Sequence, residues 1–73
     1  MKYPNYYLTV QRNDEYKRID KKNCNTLFYV QCDAINISKR NGGRGVVIMQ
    51  QEKKNATAEP YEFFYNGKQV VGL

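Results

Sequence analysis

Residues 26–51 read TLFYVQCDAINIS, then KRNGGRG, then VVIMQQ. Two segments rich in branched and aromatic residues, the types that favour strands, flank a basic, glycine-rich run of turn-forming type. On this reading residues 27–37 and 46–51 are the strands of a central hairpin. Strand side chains alternate between faces, so Phe28, Val30, Cys32 and Ala34 share one face and Leu27, Tyr29, Gln31 and Asp33 the other. Ile35 and Ile37 then fall on the wrong parity. One extra residue at a β-bulge near Asp33 or Ala34 returns them to the face of Phe28 and Val30, and a strand passing from one packing layer to another achieves the same. Either device bends a sheet, and bent sheets close into small barrels.

On the N-terminal side, Tyr6, Leu8 and Val10 alternate with Tyr7, Thr9 and Gln11, the pattern of a half-buried strand. Asn13-Asp14 follows, two residue types that tolerate the positive φ of a tight hairpin turn. With those two as the turn, Arg12 faces Glu15 as an ion pair, Val10 faces Lys17 and Leu8 faces Ile19. Tyr7, Tyr16 and Arg18 then share the opposite face. A competing reading makes DEYKRIDKK, residues 14–22, a short helix capped by Asn13 with Tyr16 and Ile19 on one side. Helices this short are marginal in water, so the strand is preferred.

On the C-terminal side, residues 52–60 form a polar loop whose closing Pro60 suits the start of a strand. Asn66-Gly67 between YEFFY and KQVVGL predicts a type I′ hairpin turn. The pairs are then Tyr65 with Lys68, Phe64 with Gln69 and Phe63 with Val70. Phe63 and Val70 lie beside Tyr61 and Tyr65 on one face, Phe64 and Val71 on the other, so this hairpin is apolar on both sides. The expected fold is mostly β: a single small β domain over residues 1–73, either an antiparallel meander or a five- to six-stranded barrel of the OB or SH3-like kind, with at most one short helix.

A chain of 73 residues buries only about 60% of its unfolded surface, so the core is thin and self-association into a homodimer would bury more apolar area. Seven tyrosines supply much of the apolar content, and their hydroxyls favour rim and surface positions. Twelve Lys and Arg against seven Asp and Glu leave a net charge of +5, a balance that attracts polyanions, nucleic acid before anionic membrane. The N-terminus lacks the apolar core of a signal peptide and no apolar run is long enough to span a bilayer. A cytoplasmic protein with no membrane role is therefore expected, and the two N-x-S/T sites at Asn36 and Asn55 are read as chance matches.

Cys24 and Cys32 match no zinc or redox spacing, and the chain has no His, so neither a metal site nor a cofactor is expected. Both cysteines are expected to be reduced, with Cys32 in the core beside Phe28 and Val30. No paired carboxylates or nucleophile motif are visible, which argues against an enzyme and names no catalytic residue. The acid-free run from Lys39 to Gly45 lacks a Walker pattern but resembles in chemistry the basic arms that follow phosphates. The expected function is nucleic-acid binding, DNA or RNA, with Lys39, Arg40, Arg44, Lys53 and Lys54 on phosphates and Tyr29 stacking a base. The alternative is a small regulator or inhibitor, of the phage or host-directed type, that binds a protein partner through a sheet edge or an aromatic face.

Overall fold

The computed structural model describes residues 3–13, 15–19, 24–40 and 45–70. In chain order the elements are β1 (Asn5–Arg12), β2 (Glu15–Arg18), α1 (Leu27–Arg40), β3 (Gly45–Gln51), β4 (Glu59–Tyr65) and β5 (Lys68–Val70). All strand pairs are antiparallel neighbours in one sheet of order β2-β1-β3-β4-β5. The fold is thus mostly β, and the sheet is open: β2 and β5 are its two edges and do not pair to close a barrel. Because β2 and β3 both run antiparallel to β1, they are parallel to each other on its two sides, and α1 makes the crossover between them.

The main correction concerns residues 27–40, which form a 14-residue helix and not a strand. Its apolar residues Leu27, Val30, Ala34 and Ile37 recur every three or four positions, which is one stripe of a helix. The parity break at Asp33 and Ala34 is that helical period, and no bulge is needed there. Thr26, of a type favoured as an N-cap, precedes the helix. Lys39 and Arg40 occupy its last turn, where the helix dipole favours cations. Phe28 and Tyr29 are left 66% and 64% exposed. Cys32 lies about 200° around the helix from Val30. It is accordingly half-buried and outside the core cluster, where Cys24 packs in its place. Both thiols are free.

The hairpins follow the expected registers. Arg12 faces Glu15 and Val10 faces Lys17, and Ile19 donates its N–H to the Leu8 carbonyl at 3.3 Å. Residues 15–18 are therefore strand and not helix; Asp14 and residues 20–22 lie outside the described residues. Glu15 places its carboxylate 3.8 Å from Lys17 on its own strand. Tyr65 pairs with Lys68, Phe64 with Gln69 and Phe63 with Val70, while Asn66 and Gly67 take φ of 51° and 83°. Val71 lies outside the described residues. A register shift between Ile48 and Met49 leaves Tyr61 as the extra residue of β4. Tyr61 thereby leaves the face of Phe63 and meets the ring of Tyr6 at 5.6 Å. Pro60 is the second residue of β4, at the strand entrance and beyond the reach of β5.

The core lies between the sheet and α1: Tyr6, Leu8 and Val10 of β1, Val46 and Ile48 of β3, and Phe64 of β4 pack on Val30 and Ala34. Tyr6 is buried, and its hydroxyl accepts from Gln50 Nε2 at 3.4 Å. Two polar ties hold α1 to the far hairpin. Glu62 accepts from Gln31 Nε2 at 2.7 Å and from Gln69 Nε2 at 2.8 Å, and buried Ser38 accepts from the Gly67 N–H at 2.8 Å. Among the described residues no helix is long and apolar enough to cross a membrane.

Candidate functional site

Among the described residues α1 is the single helix, and it covers one face of the sheet. The strand register assigns Leu8, Val10, Val46, Ile48 and Phe64 to the helix side. On the other side the ladder sets Arg18, Thr9, Val47, Phe63 and Val70 in one row, Tyr7, Met49 and Pro60 in a second, and Gly45, Tyr65 and Lys68 in a third. Tyr16, paired with Gln11, joins the third row from the edge.

This open face is shaped by residue size. Thr9 and Val47 are a cross-strand pair of small β-branched residues standing between larger neighbours. The result is a groove of about 560 Å³ lined by Tyr7, Thr9, Tyr16, Arg18, Val47, Met49 and Pro60. Arg18 lays its guanidinium over the Tyr7 ring, 4.1 Å from the centroid, a cation–π contact. Tyr16 meets Phe63 edge to face at 6.4 Å, a favourable aromatic geometry. That contact depends on Gly45, since a Cβ there would stand 2.8 Å from the Tyr16 hydroxyl and 3.0 Å from the Phe63 ring. Thr9 donates its hydroxyl to the Val47 carbonyl at 3.2 Å, so the groove floor is apolar in character.

Charge is divided between the two sides. Among the described residues no acid falls on the open face: Glu15, Glu59 and Glu62 have the helix-side register, Asp33 is on α1 and Glu52 follows β3. Arg18 and Lys68 supply its cations. Tyr16 and Tyr65 are 44% and 52% exposed.

The six residues singled out from sequence are not brought together. Lys39 and Arg40 are exposed in the last turn of α1, and the Lys39 side chain crosses the β4–β5 turn beside Gly67. Arg44 lies outside the described residues. Lys53 and Lys54 are exposed in the loop after β3, tied back where Gln51 Nε2 donates to the Lys54 carbonyl at 3.0 Å. They stand at the far end of β3 from α1's last turn, about 20 Å away by strand rise. Tyr29 is on α1 and faces away from the open face; its sheet position was an error of the strand reading. What sequence reasoning missed is the groove itself. Tyr7, Tyr16 and Arg18 were already on one face by hairpin register, but Val47, Met49 and Pro60 could be added only with β3 placed beside β1.

Fold and face together define a five-stranded open-sheet protein with one helix and an aromatic face that carries no acid among the described residues. No family model, no characterised protein and no solved structure matches the chain.

Proposed function

We propose that the chain is a non-enzymatic binding protein that holds single-stranded nucleic acid along its open sheet face. The observation that carries this reading is the conjunction, on the face opposite α1, of aromatic rings with Arg18 and Lys68 and, among the described residues, no acid. Exposed rings offer stacking surfaces to bases that are not already stacked in a duplex, and neighbouring cations bind the backbone. Lys53 and Lys54 at one end of β3 and Lys68 at the other mark a track for several phosphates. A chain without His is poorly equipped for proton transfer near neutral pH.

The same groove has the Tyr, Phe, Met and Arg character of a protein hot spot, and that is the competing reading. Fluorescence anisotropy with a labelled single-stranded 12-mer, as DNA and as RNA, decides between them. Affinity is expected to fall steeply with salt, and Arg18→Ala with Lys68→Ala to make the slope shallower by about one to one and a half units, from about 0.7 per neutralised phosphate. Arg40→Ala, on the helix side, changes it less. Absence of binding by either oligonucleotide up to about 100 µM at low salt, weaker than ordinary non-specific association, overturns the reading in favour of a protein partner.

A further inference from the structure

We propose that the groove over Thr9 and Val47 seats an unpaired nucleobase, with the sugar and phosphates left outside its rim; this rests on the nucleic-acid reading above. The shape comes first: two small side chains at the centre of the face, flanked by Tyr7, Tyr16 and Met49, leave a recess of about 560 Å³. Its chemistry selects the part of a nucleotide that enters. A phosphate needs donors, and the floor offers none free: Thr9 gives its hydroxyl to the Val47 carbonyl, and Val47 and Met49 are apolar. A base is flat and apolar on its faces and polar only along its edge, which matches a recess with aromatic walls and a guanidinium at the margin.

The walls are set before any ligand arrives. Tyr16 is positioned against Phe63 across Gly45, where an added Cβ would crowd the Tyr16 hydroxyl and the Phe63 ring. Tyr7 is held under the Arg18 guanidinium, and Arg18, at the outer edge of the sheet, is placed to meet the phosphate next to a seated base. Such preorganised aromatics lose little entropy on binding. The groove is thus a base site, and Lys53, Lys54 and Lys68 serve the backbone on either side.

The test compares a fluorescein-labelled single-stranded dT 9-mer with the same oligomer carrying abasic residues at its three central positions. At fixed salt the abasic oligomer is expected to bind more weakly by about 5- to 150-fold, the equivalent of one stacked base, with an unchanged salt slope because its phosphates are intact. Val47→Phe, which fills the recess, is expected to bring the intact oligomer down to the abasic affinity. Tyr16→Ser, at an exposed wall, should do so without adding bulk, and serves if the filled variant does not fold. Equal binding of intact and abasic oligomers overturns the base site while leaving nucleic-acid binding standing. If neither oligomer binds, both readings fall and the groove belongs to a protein partner.

Discussion

Gly67 sits at φ 83° in the β4–β5 turn with the Lys39 side chain against the position a Cβ would take, as close as 2.5 Å. A β-branched side chain resists positive φ and would also displace Lys39, so Gly67→Val should destabilise the domain by about 1 kcal/mol or more. Thermal unfolding would register this as a midpoint lower by about 4–8 °C per kcal/mol for a chain of this size. An unchanged midpoint would contradict the turn geometry. The Gly67 N–H donates to buried Ser38; Ser38→Ala leaves that donor without its acceptor and should cost about 1–3 kcal/mol in urea unfolding. The turn was legible in the sequence because Asn-Gly is a local signal. The serine was not, because its part in the turn depends on a helix packed 29 residues away along the chain.

At the scale of elements, α1 shows how local composition misleads. Phe28, Tyr29, Val30, Ile35 and Ile37 are residues that strands favour, yet Leu27, Val30, Ala34 and Ile37 have helical spacing, and burial of that stripe on β1 and β3 decides the outcome. The broken parity was the available signal. An eleven-residue strand that needs a bulge to keep its core face competes poorly with a helix that keeps it without one. The hairpins β1–β2 and β4–β5 were readable to the residue, since turn chemistry sets register within a few positions. The β1–β3 pairing was not, because α1 lies between the two strands in sequence. Asn36, exposed in mid-helix, tests the assignment: Asn36→Pro removes a helical donor and clashes with the preceding turn, at about 3 kcal/mol or more. That is a large part of the roughly 4–11 kcal/mol expected of a 73-residue domain. Circular dichroism at 222 nm should fall together with the unfolding midpoint, and a proline variant as stable as the parent would return this segment to the strand reading.

For the molecule as a whole the consequential asymmetry is that α1 covers one face of the sheet and, among the described residues, nothing covers the other. Ile48 and Met49 are neighbours on β3 that point to opposite sides: Ile48 is fully buried under α1, and Met49 lines the open groove. Introducing one positive charge at each position therefore measures the two faces separately. Ile48→Lys places an ammonium in the core without a partner and should cost about 4 kcal/mol or more, enough to unfold much of the population. Met49→Lys can lay its aliphatic stem along the groove and keep its charged end in water, so stability should change by about 1 kcal/mol or less. Urea unfolding at two protein concentrations reads both effects. Were the open face instead buried between two copies of the chain, Met49→Lys would be nearly as damaging as Ile48→Lys, and the parent midpoint would rise with concentration because association stabilises the folded state. A tolerant Met49 with a concentration-independent midpoint leaves the face free in the monomer. A ligand then meets the groove without first displacing a second copy.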